Sequence, residues 1–331
     1  MKRIQLILVH AITIAFLGGS MLISCCSPGK SVQKPQPRSS PRVEPSAPAN
    51  ASTRTIQFVN NCSQTIWIGA LGTPLPVNGG FELAAGATKD ILVADNLISG
   101  RFWARTGCKL NGSGVLVCET GDCVGKGINC DGISGQAPAT LAELTLNDAN
   151  GLDFYDISLV DGYNIGLSIE PFGNVQKVNN DNLGKFNCGS PNCPVMDYTK
   201  CPPELLLQNS SGQTIGCLSV CAAVNNTEQL KKFNNILGGY DKNLVCCSCA
   251  CGPDCGCTDP KCKFGCSPFN NDPKEVGGKC RVEDWPRASN GMRYDSVFKS
   301  QAPDAYSWQF NDGESTYQCS KANYRITFRD K

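Results

Sequence analysis

Cysteine is the residue type that most constrains how this chain can fold. The sequence has 22 cysteines among 331 residues, and twenty of them lie between Cys62 and Cys319. An even number of cysteines at this density predicts a disulfide framework in an exported chain. Each short covalent loop would contribute about 2–3 kcal/mol, because it restricts the unfolded chain. The folded part is therefore expected to mature in an oxidising compartment.

Histidine is almost absent. The one histidine is His10, and it lies inside an apolar N-terminal run. The body of the sequence therefore has no Ser-His or Cys-His nucleophile pair and no histidine metal ligand. Any proton-transfer chemistry must be carried by carboxylates, and neither a metal nor another cofactor is expected.

The N-terminus has the pattern of an export signal. Lys2 and Arg3 precede an apolar stretch over residues 4–17, which is too short to be a comfortable membrane span. We predict a signal sequence over residues 1–25. Its end, LISC with Cys25 last, resembles the lipobox of bacterial lipoproteins, so a lipid anchor and an ordinary cleaved signal both remain open.

A proline- and serine-rich linker is predicted over residues 26–54, since this segment has almost nothing to bury. The remaining body, residues 55–331, carries 23 basic and 28 acidic residues, a net charge of about −5. A mildly acidic body argues against nucleic acid as a partner. The chain is expected to be secreted or extracellular, a monomer, and in contact with a membrane only through the possible lipid anchor.

Short β-type segments dominate the body. They are rich in β-branched and aromatic residues and are separated by Gly, Asn and Asp, a pattern that predicts an antiparallel sandwich or barrel. The first and last segments should both belong to it. One helix is predicted over residues 228–237, inside a cysteine-rich insertion at about 225–295. The predicted strands are 55–59, 65–69, 91–94, 101–106, 115–118, 141–146, 154–160, 164–170 and 324–328.

Several motifs resemble those of the thaumatin-like proteins, in the order of that family. They are GRFWARTGC at 100–108, CETGDC at 118–123, LAELTL at 141–146, DFYDISLVDGYN at 153–164, PDAYS at 303–307 and NYRITF at 323–328. The resemblance implies an all-β fold, an antiparallel β-sandwich with disulfide-rich loop domains packed beside it.

The family has an acidic cleft lined by one arginine and four acids. The resemblance places these on Arg101, Glu143, Asp156, Asp161 and Asp304. It implies an exported, defence-type protein that recognises a polysaccharide, β-1,3-glucan, in this cleft. A weak endo-β-1,3-glucanase is the alternative, and a surface scaffold acting through the cysteine-rich insertion is a third hypothesis.

The strand pattern and the charges suggest roles for these acids. Strand alternation places Glu143 opposite Leu144 and Leu146, so it faces away from a core on that side. Asp156 and Asp161 are five residues apart, so the chain must turn after the strand for both to reach one cleft. In a hydrolase, Glu143 would be the acid and Asp156 the nucleophile or base, since converging carboxylates split their pKa values.

Aromatic residues near these motifs offer two interpretations. Trp103, Tyr155 and Tyr163 could stack on sugars, although packing in the interior is the more common role of such residues.

The cysteines depart from the family pattern. The resemblance implies the pairs Cys108–Cys118, Cys123–Cys130, Cys188–Cys319 and Cys201–Cys217. Cys62 and Cys193 lack their family partners, because Arg329 and Ala302 occupy those positions. Nine cysteines between Cys246 and Cys280 fit an enlarged disulfide loop, with a Zn or Cu(I) thiolate cluster as the alternative.

Overall fold

The computed structural model describes residues 52–251 and 256–331. The predicted signal sequence, the lipobox-like tetrapeptide and nearly all of the predicted linker lie outside the described residues. Among the helices of the described part, none has the length and apolar character needed to cross a bilayer.

Strands make up most of the regular structure in the described part of the chain. The strands are β1 (Thr53–Asn60), β2 (Ile66–Thr73), β3 (Gly80–Leu83), β4 (Thr88–Ala94), β5 (Ile98–Arg105), β6 (Lys109–Leu110), β7 (Leu116–Val117), β8 (Leu141–Thr145), β9 (Asp153–Ser158), β10 (Gly166–Phe172), β11 (Asn192–Cys193), β12 (Leu206–Gln208), β13 (Thr214–Cys217), β14 (Tyr317–Cys319) and β15 (Asn323–Arg329). The α-helices are α1 (Val220–Asn225), α2 (Thr227–Leu237), α3 (Lys242–Val245), α4 (Tyr294–Lys299) and α5 (Asp312–Ser315).

Two large sheets share one hydrophobic core. The five-stranded sheet has the order β11-β10-β15-β1-β4, and the six-stranded sheet has the order β14-β9-β8-β5-β2-β3. Phe58 of β1 packs edge-on against Phe81 of β3 and Phe102 of β5, with ring centroids 5.2 and 5.3 Å away. Alternating side chains of both sheets fill this core, so the predicted β-sandwich is confirmed.

The first and last strands both belong to the sandwich, as predicted, and they pair with each other. Ile56 of β1 lies opposite Tyr324 of β15, and Asn60 lies opposite Phe328. This pair is parallel, whereas the neighbouring pairs β1–β4 and β10–β15 are antiparallel. The whole domain connects these two strands, and no hairpin forces them to run in opposite directions.

The segment after β13 is helical and joins the same core. Asn226 caps α2 by accepting hydrogen bonds from the backbone N–H groups of Glu228 and Gln229, so the helix predicted over 228–237 is confirmed. Val220 and Val224 of α1 are buried in the core cluster of the sandwich. The start of the cysteine-rich insertion is therefore anchored directly on the sheets.

Candidate functional site

Three charged residues form one row across the six-stranded sheet. Arg101 of β5 lies opposite Glu143 of β8, and Glu143 lies opposite Asp156 of β9. Residues directly opposite each other on neighbouring strands share a face, so these side chains lie side by side. Leu144, next to Glu143 on the strand, is buried in the core. We call Arg101, Glu143 and Asp156 the acid row.

An ion pair joins the first two members of the row. Arg101 Nε lies 2.7 Å from Glu143 Oε1, and the two side chains are 39% and 26% exposed. An arginine that donates to a carboxylate at this distance is paired with the ionised form. Glu143 therefore presents negative charge at an accessible surface.

Asp156 is the most perturbed acid of the row. Its Oδ1 atom is buried and has no hydrogen-bond partner in the described structure. Burial raises the pKa of Asp156 well above its ordinary value, the charges of Glu143 and Asp312 raise it further, and Arg101 lowers it. A buried carboxylate oxygen without a partner is costly, and a donor from a ligand would satisfy it.

Asp161 reaches the acid row because the chain turns after β9. The backbone N–H of Gly162 donates to the carbonyl of Leu159 at 2.9 Å, which closes the turn. Gly162 has a φ of +97°, and a Cβ atom there would lie 2.5 Å from the carbonyl oxygen of Cys217. This position therefore requires glycine. The turn that the spacing of the two aspartates demands is present.

The environment of Asp161 resembles that of Asp156. The residue is accessible to solvent, yet protein atoms surround it closely enough that desolvation raises its pKa to about 6. The negative charge of Glu143 adds to this rise in pKa, and Arg101 opposes it. Asp161, Glu143 and Arg101 thus interact electrostatically, as the resemblance implies.

Asp304 has a different set of partners. Its Oδ1 lies 2.7 Å from Lys185 Nζ, and its Oδ2 accepts a weaker hydrogen bond from the backbone N–H of Asn192 at 3.3 Å. Burial raises the pKa of Asp304, but Lys185 and the hydrogen bonds outweigh burial and lower it overall. Asp304 is therefore ion-paired with Lys185, and its place beside Arg101 and the other acids stays a prediction.

Two residues that sequence reasoning missed adjoin Asp156. Tyr306 extends the sheet beyond β9. Its backbone N–H donates to the carbonyl of Ile157 at 2.8 Å, and its carbonyl accepts from the backbone N–H of Leu159 at 2.9 Å. Its hydroxyl donates to Asp312 Oδ1 at 2.9 Å. Asp312 lies on the short helix α5, and no strand pattern points from it to β9. We call the acid row together with Asp161 and Asp312 the acidic cluster.

The three aromatic residues considered for sugar stacking are buried. Trp103, Tyr155 and Tyr163 have exposed fractions of 1%, 1% and 2%. The Trp103 indole donates to the carbonyl of Gly121 at 2.9 Å, and the Tyr155 hydroxyl donates to the carbonyl of Gly189 at 2.6 Å. These side chains pack and anchor loops, and they offer no face to a ligand.

The disulfides include the four pairs that the resemblance implies. The structure joins Cys108 to Cys118, Cys123 to Cys130, Cys188 to Cys319 and Cys201 to Cys217. Further bonds join Cys221 to Cys246, Cys247 to Cys280 and Cys249 to Cys262, and Cys251 is also disulfide-bonded. Much of the cysteine-rich insertion is therefore a disulfide loop. Four cysteines of the described part have free thiols, namely Cys62, Cys193, Cys257 and Cys266.

Comparison with known proteins identifies relatives of the whole body. The thaumatin family model matches residues 60–247, which is more than half of the chain. Thaumatin-like protein 1 of Pyrus pyrifolia is 35% identical over 82% of this chain and 88% of its own length. Pathogenesis-related protein 5 of Arabidopsis thaliana is 36% identical, over 81% and 87%. A Prunus avium protein named glucan endo-1,3-beta-glucosidase is 32% identical, over 84% and 91%.

Proposed function

This chain belongs to the thaumatin family, and we propose that it is an exported defence-type protein whose acidic cluster binds β-1,3-glucan. The observation that carries the proposal is a juxtaposition: Asp156 Oδ1, which is buried and has no hydrogen-bond partner in the described structure, lies beside the accessible Arg101–Glu143 ion pair. A polysaccharide supplies hydroxyl donors for the carboxylates and hydroxyl acceptors for the guanidinium. The arrangement therefore matches the hydrogen-bonding chemistry of a sugar chain.

The charge of the cluster favours an uncharged ligand. The cluster has four carboxyl groups, those of Glu143, Asp156, Asp161 and Asp312. The guanidinium of Arg101 interacts electrostatically with the first three. Such a surface repels phosphate and other anions, whereas a neutral glucan meets no electrostatic barrier. A relative named as a glucan endo-1,3-glucosidase supports β-1,3-glucan as the polysaccharide.

Weak endo-β-1,3-glucanase activity is the second candidate, and the asymmetry of the acid row favours it. Glycoside hydrolysis needs one protonated acid and one ionised carboxylate. The raised pKa of Asp156 suits it to be the proton donor, while the arginine-paired Glu143 is suited to be the ionised partner. The sequence predicted the opposite assignment, with Glu143 as the acid and Asp156 as the nucleophile or base.

Binding and hydrolysis are separated by measuring both on one preparation. Purified full-length protein is incubated with insoluble β-1,3-glucan, and the bound fraction and released reducing ends are determined. Binding without sugar release is expected, and cellulose, a β-1,4-glucan, should retain much less protein. Release of reducing ends that disappears in Asp156→Asn, while binding persists, would favour the hydrolase instead.

A matched control is available on the other sheet. Glu170 of β10 lies opposite Arg325 of β15 and pairs with it at 2.8 Å, as Glu143 pairs with Arg101. We expect Glu143→Gln to lower glucan binding about tenfold, since it removes a charge-assisted contact, and Glu170→Gln to leave it unchanged. Equal effects of the two substitutions, or none from either, would contradict the proposed function.

A further inference from the structure

A concave surface lies at the edge of the cysteine-rich insertion. It has a volume of about 270 Å³ and is lined by Pro268, Phe269, Arg281 and Glu283 of the insertion and by Trp308. We call these five residues the aromatic depression. Its residues belong neither to the acidic cluster nor to the motifs that identified the family.

Phe269 presents an aromatic face to solvent at this place. Its side chain is 63% exposed, and its ring centroid lies 6.3 Å from that of Trp308. Trp308 is itself buried and packs edge-on against Trp285 and Phe310, at 6.4 and 6.0 Å. A buried aromatic base thus holds one accessible ring in place, and a large accessible apolar side chain of this kind suits ligand contact.

Polar groups with unused hydrogen-bonding capacity border the ring. Arg281 is exposed and forms no ion pair with any residue of the described ranges. Glu283 is 67% exposed and has one long contact, at 3.9 Å, with Arg293. One flat apolar surface flanked by a donor and an acceptor is the combination that a pyranose ring requires, because its C–H face stacks and its hydroxyls form hydrogen bonds.

The segment that carries Trp308 of the aromatic depression also carries residues next to the acidic cluster. Trp308 lies two residues after Tyr306 and four before Asp312, the two residues that flank Asp156. On the inner side, Trp308 lines a small cavity together with Val160, the residue before Asp161. We therefore expect a chain of sugars that occupies the acidic cluster to extend toward the segment that carries Trp308.

We propose that the aromatic depression is an additional sugar-binding subsite, in which Phe269 stacks on a pyranose ring and Arg281 and Glu283 hydrogen-bond its hydroxyls. The proposal rests on the proposed function, because the ring belongs to the same β-1,3-glucan chain that the acidic cluster binds. Short oligosaccharides that fill only the acidic cluster would not reach Phe269, and longer ones would.

The test measures affinity as a function of chain length by titration calorimetry with linear β-1,3-oligosaccharides of two to seven sugars. We expect Phe269→Ala to weaken binding of the longest oligosaccharides about three- to tenfold and to leave the shortest unchanged. Phe269→Trp, which keeps a ring, should restore the affinity. Leu110→Ala is the matched control, since Leu110 is 68% exposed on β6, outside both sites.

The outcomes separate this proposal from the function on which it rests. If native protein binds the oligosaccharides and Phe269→Ala behaves like Leu110→Ala at every length, the subsite is wrong and glucan binding stands. If Phe269→Ala weakens short and long oligosaccharides equally, the subsite is wrong as well, because Phe269 then acts on the acidic cluster. If native protein binds no oligosaccharide of any length, both proposals are wrong.

A separate observation concerns the sulfur atoms of the insertion. The Sγ atoms of Cys257, Cys262 and Cys266 all lie within 4.8 Å of one another, and Cys262 is bonded to Cys249. Cys257 and Cys266 carry free thiols that contact each other. A three-sulfur metal site would require reduction of the Cys249–Cys262 bond, which the oxidising compartment of an exported protein disfavours.

We infer that Cys257 and Cys266 close into a disulfide when the protein matures in that compartment. Two S–H bonds break and one S–S bond forms, with the loss of two protons and two electrons. A small disulfide oxidant, such as oxidised glutathione, takes up the electrons and becomes two thiols. Cys257 attacks first, because its side chain is partly exposed, whereas Cys266 is buried and its pKa is raised to about 12 by burial and the neighbouring Cys257.

Peptide mapping tests this bond. The full chain is incubated with oxidised glutathione, denatured, alkylated and digested without reduction. We expect a peptide that links Cys257 to Cys266, alkyl groups on Cys62 and Cys193, and one additional alkylated thiol in Cys257→Ser. Alkyl groups on both Cys257 and Cys266, or a link from either of them to Cys262, would overturn the inference.

Discussion

The β-sandwich and the cysteine-rich insertion are stabilised in different ways. In the sandwich, continuous strand ladders and a shared core fix each residue in register, as in the row of Arg101, Glu143 and Asp156. The described part of the insertion has short helices, loops and isolated bridges, and disulfides such as Cys247–Cys280 supplement the apolar side chains that it adds to that core. The comparison suggests that strand register positions the charges of the sandwich, while covalent bonds position the loops of the insertion.

The largest expected effect tests the sandwich. Phe58 is fully buried between the sheets, so Phe58→Ala should lower the free energy of unfolding by about 3–5 kcal/mol, through lost burial and an unfilled cavity. Phe269→Ala removes the same side chain from an exposed site and should change stability by less than about 0.5 kcal/mol. Urea denaturation followed by tryptophan fluorescence measures both. A loss below about 1 kcal/mol for Phe58→Ala would contradict the role given to the shared core.

A smaller and more local effect is expected in the insertion. Replacing Cys247 and Cys280 with serine opens a loop of sequence separation 33 and should cost about 2–4 kcal/mol. The loss should be confined to the insertion, because the strand ladders do not depend on this bond. Hydrogen exchange should therefore show faster amide exchange near α3 and unchanged protection in β1 and β15. Loss of protection in those two strands would show that the two regions are not stabilised separately.

The smallest effect concerns an acid at the end of the sandwich strand β9. The pKa of Asp161 is raised from 3.8 to about 6 in the folded protein, so the folded state binds this proton more tightly than the unfolded state. Stability should therefore fall as the pH rises from about 4 to about 6 and stay at the lower level above that range. Because Asp161 is exposed, it contributes about 1 kcal/mol to the pH-dependent free energy of unfolding after solvent screening. Asp161→Asn should reduce this pH dependence, measured by urea denaturation, and an unchanged dependence would contradict the raised pKa.

Local patterns in the sequence predicted the elements of the site. The alternation in LAELTL correctly placed Glu143 on the face opposite Leu144, and the spacing of Asp156 and Asp161 required the turn at Gly162. The pairing of β5, β8 and β9 was not predicted, since strand register is set by contacts between distant segments.

Other features of the site depend on contacts that no local pattern contains. Asp304 matches the family motif, yet Lys185 neutralises it from a loop 119 residues earlier in the chain. Asp312 approaches Asp156 because Tyr306 extends the sheet beyond β9, and neither contact has a periodic signal. The raised pKa of Asp156, on which the proposed exchange of acid roles depends, follows from burial, which the sequence alone does not reveal.

The central claim is that acids from separate strands and a turn form one glucan-binding site. Carbon-13 NMR of the side-chain carboxyl groups, recorded during titration with a linear β-1,3-oligosaccharide, tests it most directly. We predict that the signals of Asp156, Asp161 and Glu143 move together along one binding curve while that of Glu170 stays in place. Site signals that remain still, or that move no more than the signal of Glu170, would contradict the account.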